Sequence, residues 1–129
     1  MLGICLGMQL LSEHGEEDGA TPGLGLIPGR VRHFPENSLP IPHVGFNTAR
    51  FVERPRSIFG GLGNQTEFYF VHSYRFEPTD PSDVSAWCSY AGDFAAAVQR
   101  GPIYGTQFHP EKSQTNGLRV LKNFVQLPV

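Results

Sequence analysis

The chain opens with Met1-Leu2-Gly3-Ile4-Cys5-Leu6-Gly7-Met8-Gln9, in which one cysteine stands between two glycines. The apolar segment Met1–Ile4 predicts the end of a buried strand. The residues that follow have the three- and four-residue spacing of a helix, which we predict from Leu6 to His14, ending at Gly15. Cys5 is therefore predicted at the junction between a strand and a helix.

The rest of the chain predicts mainly β-structure. After a loop over residues 15–30, six segments are β-branched or aromatic and are bounded by Gly, Pro, Asn or Asp. We predict strands at Val31–Phe34, Val44–Val52, Phe68–Tyr74, Val84–Tyr90, Phe94–Arg100 and Ile103–Phe108. A closing helix is predicted from Thr115 to Gln126. These elements indicate an α/β fold in which an open sheet is flanked by two helices.

The composition excludes several classes of function. The chain has 129 residues, the length of one domain, and 40% of them are hydrophobic, which argues against intrinsic disorder. A net charge of −2 gives no electrostatic reason to bind nucleic acid or an anionic membrane. The apolar segment Met1–Leu11 is too short to span a membrane and lacks the positive charges that begin a signal peptide. We expect a cytoplasmic protein whose Cys5 and Cys88 are free thiols rather than one disulfide.

Cys5 has the setting of a nucleophile. On a sharp turn between strand and helix its side chain would project above the sheet, and side chains at Gly3 and Gly7 would clash. The N–H groups at the helix start would favour the thiolate, and the Leu6 N–H would lie where an oxyanion donor belongs. The alternative is a tight turn in which a small buried cysteine only packs.

The sequence His109-Pro110-Glu111 offers a base for this nucleophile. Residues two apart in an extended segment point the same way, so Glu111 can hydrogen-bond His109 and hold its tautomer. Together with Cys5 they would form a Cys–His–Glu triad, whereas alone they would be an exposed histidine beside a surface carboxylate. The other histidines, His14, His33, His43 and His72, lack metal-ligand spacing, so we expect no metal and no cofactor.

The two segments that hold these residues carry a resemblance to a known family. Gly3-Ile4-Cys5-Leu6-Gly7-Met8-Gln9 and Thr106-Gln107-Phe108-His109-Pro110-Glu111-Lys112-Ser113 resemble the two signatures of class I glutamine amidotransferases. Within that family, the segments Pro22–Gly29, Pro42–Asn47 and Tyr69–Tyr74 are similar to glutaminase subunits of imidazole glycerol phosphate synthase, from histidine biosynthesis. The similarity covers essentially the whole chain.

The resemblance implies a fold, an activity and a set of roles. The fold would be a flavodoxin-like open sheet with helices, and the activity would be hydrolysis of L-glutamine to glutamate and ammonia. Cys5 would attack the side-chain amide, His109 would pass a proton to the leaving ammonia, and Glu111 would orient His109. The residues implied in holding the substrate glutamine are Leu6, Gly7, Gln9, Glu17, Ser73 and Tyr74.

The resemblance also implies a partner, a cyclase subunit with a (β/α)8-barrel fold that receives the ammonia in a heterodimer. The residues implied at that interface are His43, Val44, Gly45, Phe46, Asn47 and Lys112. Because the family commonly has Met and Trp where this chain has Val44 and Phe46, a paralogue that supplies ammonia for surface-sugar biosynthesis is an alternative.

Family members carry strands and helices before the nucleophile, including a glycine-rich oxyanion strand. We therefore expect residues 1–129 to form the C-terminal part of a single amidotransferase domain, truncated before the nucleophile turn. Such a chain is expected to have no appreciable glutaminase activity even with its partner present, because the first strand and the oxyanion would both lack partners. A non-catalytic remnant that still docks on a partner is the remaining alternative.

Overall fold

The computed structural model describes residues 1–16, 20–35 and 39–128. Its strands and α-helices are named here in chain order. They are β1 (Leu2–Ile4), α1 (Leu6–Gln9), β2 (His14–Gly15), β3 (Thr21–Pro22), β4 (Gly29–His33), β5 (His43–Phe51), β6 (Gln65–His72), β7 (Tyr74–Pro78), β8 (Val84–Ser89), β9 (Asp93–Arg100), β10 (Ile103–Thr106) and α2 (Gln114–Val125). Two 3-10 turns, Pro81–Asp83 and Pro110–Lys112, precede β8 and α2.

The strands form two sheets. The larger has the order β1-β10-β9-β8-β5-β6, in which only β1 and β10 run parallel. The smaller has the order β3-β2-β4-β7. One apolar core lies between the sheets, where Val31 and Phe76 pack with Val84 and Val98. A second core includes Val120 from α2, so the predicted α/β class is confirmed.

The first helix is much shorter than the sequence predicts. The prediction of a helix to His14 is wrong, because α1 ends at Gln9. The carbonyl groups that a longer helix would use for its own ladder are taken by a neighbouring loop. The N–H groups of residues 23–27 donate to the carbonyls of residues 10–13, at distances of 2.8–3.0 Å. Tertiary hydrogen bonds therefore override the local helical spacing.

The predicted strand Phe68–Tyr74 is two strands in the structure. β6 pairs with β5 in the larger sheet, whereas β7 pairs with β4 in the smaller one. Ser73 lies between them, and its carbonyl accepts a hydrogen bond from the Phe34 N–H at 3.2 Å. The other predicted strands and the closing helix agree with the structure to within two residues at each end. Within the described ranges, no helix has the length and apolar character needed to cross a membrane.

Candidate active site

Cys5 occupies a sharp turn between β1 and α1, as the sequence predicts. Its backbone has φ 53° and ψ −108°, a strained conformation for a residue with a side chain. The Cys5 N–H donates to the Thr106 carbonyl at 2.7 Å, which continues the pairing of β1 with β10. The turn therefore holds the cysteine rigidly at the carboxyl end of two parallel strands.

The two flanking glycines have different roles. A side chain at Gly3 would bring its Cβ within 2.5 Å of the Gly7 carbonyl oxygen, so β1 and α1 approach too closely for any other residue. The predicted clash is confirmed there. At Gly7 the prediction is wrong, because a Cβ would have no neighbour within 4 Å. Position 7 faces open space instead.

The Cys5 sulfur is enclosed by backbone and amide groups. Its thiol lies 3.8 Å from the Val71 carbonyl, and the Gln107 Nε2 amide donates to Sγ at 3.6 Å. Burial raises the pKa of the Cys5 thiol and outweighs the Leu6 N–H and the Gln107 amide, which act in the opposite direction. The Leu6 N–H at the helix start therefore favours the thiolate, as expected, but the effect of burial is larger.

His109 and Glu111 form the predicted pair. The His109 Nδ1 atom lies 3.0 Å from the Glu111 Oε2 atom, at the start of the 3-10 turn that precedes α2. Because a carboxylate can only accept, a neutral His109 carries its proton on Nδ1 and leaves Nε2 unprotonated. The histidine side chain is 19% exposed, so Nε2 is shielded but accessible to a substrate.

The two halves of the triad meet along one edge of β6. The His109 N–H donates to the Tyr69 carbonyl at 2.9 Å, and the Cys5 thiol faces the Val71 carbonyl. Carbonyls two residues apart on a strand point the same way and lie roughly 7 Å apart. The larger sheet is therefore curved, so that β6 at one edge contacts the turn that follows β1 at the other edge. Cys5 and His109 therefore both contact carbonyls of this one strand.

Sequence reasoning missed Ser113, which fixes the His109 turn to this edge. Ser113 is 1% exposed, and its hydroxyl accepts from the Tyr69 N–H at 2.9 Å and donates to the His109 carbonyl at 2.6 Å. A serine directly before a helix normally suggests a cap, yet Ser113 makes no capping bond to α2. The Ser113 hydroxyl instead hydrogen-bonds the backbone of strand β6.

Gln9 projects from α1 toward the predicted substrate position. Its Nε2 atom donates to the Tyr74 carbonyl at 3.2 Å and to Gln107 Oε1 at 3.0 Å. The carbonyls of Ser73 and Tyr74 thus already accept hydrogen bonds within the chain. A cleft of about 280 Å³ borders this group and is lined by residues that include Leu6, Gln9 and Gly15. The predicted ligand Glu17 lies outside the described residues.

A buried histidine pair lies behind the Tyr74 carbonyl. His72 Nδ1 contacts that carbonyl at 2.9 Å, and His72 Nε2 lies 3.0 Å from His43 Nδ1. The Asn47 Nδ2 amide lies 3.2 Å from His43 Nε2. Desolvation lowers the pKa of each ring to about 4, so both are neutral at pH 7. The sequence pattern predicts no role for His72.

The predicted interface residues divide between surface and interior. Val44 and Phe46 are 55% and 47% exposed on one face of β5, and Lys112 is also exposed. His43 is not part of this surface, because it is 3% exposed and stacks on the Tyr90 ring at 4.0 Å. Alternation along the strand turns its ring inward. Gly45 lies between the exposed residues with φ +122°, and Asn47 is half-buried against the Ser89 carbonyl.

The described residues contain no group of three or more His, Cys, Asp or Glu side chains that could hold a metal ion. Cys5 and Cys88 are both free, and Cys88 is fully buried in β8.

Comparison with known proteins places this geometry in a family. The family model "Glutamine amidotransferase class-I" matches residues 1–127. The chain belongs to this family. The resemblance of the cysteine and histidine segments is therefore confirmed over nearly the full length of this amidotransferase chain.

Several curated relatives are subunits of one synthase. The amidotransferase chain is 51% identical over 132 residues to "Imidazole glycerol phosphate synthase subunit HisH" of Methylococcus capsulatus, covering 97% of this chain and 61% of the relative. It is 48% identical over 127 residues to the protein of the same name from Moorella thermoacetica, covering 98% and 60%. The chain thus spans about three fifths of the length of the curated relatives it matches.

Solved structures of lower identity share the fold. PurLQS from Thermotoga maritima has a TM-score of 0.69 at 18% identity, covering 96% of this chain and 59% of that chain. A glutamine amidotransferase from the same organism has a TM-score of 0.60 at 18% identity, covering 97% and 44%. At these identities the likeness concerns the fold alone, and it agrees with the predicted open sheet of class I glutamine amidotransferases.

Proposed function

We propose that this chain belongs to the glutaminase subunit of an imidazole glycerol phosphate synthase and hydrolyses L-glutamine with Cys5, His109 and Glu111. The observation that carries the proposal is the convergence of Cys5 and His109 on the Val71 and Tyr69 carbonyls of one strand edge. The names of the relatives, at about half identity, support the choice of synthase.

The reaction begins with transfer of the Cys5 proton to His109. His109 Nε2 takes the Cys5 proton, because Nδ1 is engaged by Glu111 at 3.0 Å. The thiolate then attacks the side-chain amide carbon of glutamine, forming a C–S bond and moving the carbonyl electron pair onto oxygen. The Leu6 N–H, which already hydrogen-bonds at the sulfur, is available to stabilise that oxyanion.

Collapse of this intermediate breaks the C–N bond. His109 gives its proton to the leaving nitrogen, so ammonia departs and a glutamyl thioester remains on Cys5. His109 then takes a proton from water as the water attacks the thioester carbon. The C–S bond breaks, the proton returns to sulfur and glutamate leaves. Glu111 stays ionised throughout and stabilises the transient imidazolium.

The ammonia would pass to a cyclase partner with a (β/α)8 barrel, and the two proteins would form a cytoplasmic heterodimer. The exposed Val44 and Phe46 side chains form an apolar surface on β5, and Phe46 contacts the Tyr69 ring at 5.4 Å. Exposed Lys112, beside the catalytic turn, adds a positive charge nearby. A partner on this face would cover the strands that carry the site.

The proposal is tested by labelling with a diazo-ketone analogue of glutamine. Cys5 is expected to be the only cysteine modified in the folded protein, because it is half-buried. Cys88 is fully buried, and burial raises its pKa to about 12. Peptide mass spectrometry locates the adduct, with Cys5→Ser as the matched control that should remain unlabelled. An adduct on Cys88 in folded protein would overturn the assignment of the nucleophile.

The partner is tested separately by mixing the cyclase with a longer chain that also carries the N-terminal strands and helices of the family, and measuring glutamate release. Release should rise when the cyclase is present, and Phe46→Asp should weaken the complex because it places a charge in the apolar surface. Binding that is unaffected by this change would move the interface elsewhere. An unchanged rate with a cyclase and a raised rate with an amidating enzyme of sugar synthesis would favour the alternative acceptor.

A further inference from the structure

We propose that Gln107 stabilises the Cys5 thiolate by donating an amide hydrogen bond to its sulfur, and that the Tyr74 carbonyl sets this direction through Gln9. The inference rests on the proposed role of Cys5 as the nucleophile. It adds a residue that sequence reasoning passed over, although Gln107 lies only two residues before His109.

The direction of the amide follows from one carbonyl. The Tyr74 oxygen can only accept, so the Gln9 side chain must present its NH2 group there, at 3.2 Å. The second hydrogen of the same NH2 group reaches Gln107 Oε1 at 3.0 Å. Since the Gln107 oxygen is thereby turned to Gln9, its Nε2 atom faces the Cys5 sulfur at 3.6 Å. The opposite orientation of Gln107 would place its NH2 group against the NH2 group of Gln9.

Gln107 is built into this position. Gln107 is fully buried, and its backbone N–H donates to the Ala96 carbonyl at 2.8 Å. A buried amide is costly unless both of its ends are paired, and here one end pairs with Gln9 and the other with the thiol. The Gln107 amide therefore hydrogen-bonds the Cys5 sulfur and is excluded from solvent.

The donor opposes the effect of burial. An N–H aimed at sulfur stabilises the negatively charged form, whereas removal of the thiol from water disfavours it. Other charges also face the thiol. From the 3-10 turn, Glu111 disfavours the thiolate and Lys112 favours it. His109 begins the same turn, and His72 belongs to β6, the strand whose Val71 carbonyl lies beside the thiol; His72 is neutral above pH 5.

The test measures the titration of Cys5 directly. The rate of Cys5 alkylation by iodoacetamide is followed by mass spectrometry from pH 7 to pH 11.5 in the wild-type protein and in Gln107→Met, because burial already raises the pKa of the thiol. Methionine keeps a similar volume without a donor. The midpoint should move upward by about one pH unit, which corresponds to a roughly tenfold lower thiolate fraction at neutral pH. Gln65→Met, at the exposed start of β6, is the matched control and should leave the midpoint unchanged.

A second variant covers the case in which Gln107→Met does not fold. Gln107→Asn keeps the amide but withdraws it from the sulfur by one carbon–carbon bond, so the same upward shift is expected. Circular dichroism and a cooperative melt establish folding before each titration. An unchanged midpoint in either folded variant would overturn the proposal.

The outcome is independent of turnover. A shifted midpoint in a protein that fails to react with the glutamine analogue would uphold the hydrogen bond and remove the proposed function. Specific labelling of Cys5 together with an unchanged midpoint would support the proposed function and overturn the hydrogen bond from Gln107.

Discussion

Lowering the pH from 7.5 to 5.0 is expected to destabilise the fold through the buried rings of His43 and His72. The Tyr74 carbonyl requires a proton on His72 Nδ1, so His72 Nε2 accepts from His43 Nδ1. Asn47 Oδ1 is held by the Thr48 N–H at 2.8 Å, which leaves the Asn47 NH2 group to donate to His43 Nε2. A further proton on either ring would therefore face another donor inside the core.

The magnitude follows from the two pKa values. Each ring has a pKa of about 4 in the fold, against about 6.5 in an unfolded chain. The stabilisation is complete above pH 6.5, and it is lost as the pH falls from there toward 4, because only the unfolded chain takes up the protons. At pH 5.0 the loss is about 2 kcal/mol for each ring, or about 4 kcal/mol if both titrate independently. That is a large part of a usual stability of about 5–15 kcal/mol.

Urea unfolding at a series of pH values measures this loss. The free energy of unfolding should fall by a maximum of about 2.7 kcal/mol per pH unit in the wild type and by about half of that in His72→Gln. His14→Gln removes an exposed histidine and is the matched control, whose slope should equal that of the wild type. The exposed carboxylates of Asp80 and Asp93 have lowered pKa values, so their contribution is lost at still lower pH.

A stability that stays constant between pH 7.5 and 5.0 would refute this reasoning. An equal slope in the wild type and in His72→Gln would also refute it, because the acid sensitivity would then come from other groups.

Two further predictions concern the catalytic turn. In an active, longer chain that carries the family's N-terminal part, His109→Ala should nearly abolish glutamate release, whereas Glu111→Gln should reduce it less, because Glu111 only orients and stabilises the imidazole. Equal residual activity in the two variants would show that another group moves the proton. Gly117→Ala would drive a Cβ into the Pro110 carbonyl oxygen, so it should lower stability by about 1–3 kcal/mol and displace the turn. Gly7→Ala meets nothing within 4 Å and is the control; equal thermal melts for both variants would contradict the packing argument.

The parts of the site that sequence reasoning predicted are local in the chain. The turn at Cys5 follows from its flanking glycines, and the contact between His109 and Glu111 follows from their two-residue spacing. The edge that brings the two parts together could not be predicted, because it consists of the backbone carbonyls of Val71 and Tyr69. Main-chain atoms are the same at every position and leave no trace in a sequence.

The errors have a common physical origin. The helix after Cys5 is shortened by hydrogen bonds from a loop more than ten residues later, and the thiol pKa is raised by burial rather than lowered by that helix. His43 belongs to a segment that the resemblance assigns to the interface, yet its ring turns into the core. Each outcome depends on which distant residues pack nearby, and spacing along the chain carries no information on that.

The curl of the larger sheet has a consequence for how the protein acquires its reactivity. The groups that touch the Cys5 sulfur lie 66 and 102 residues away along the chain, and contacts of such separation form late and slowly during folding. A nascent or partly folded molecule has the cysteine but neither the oriented base nor the donor beside it. If the proposed function is right, ammonia release would therefore require the completed fold.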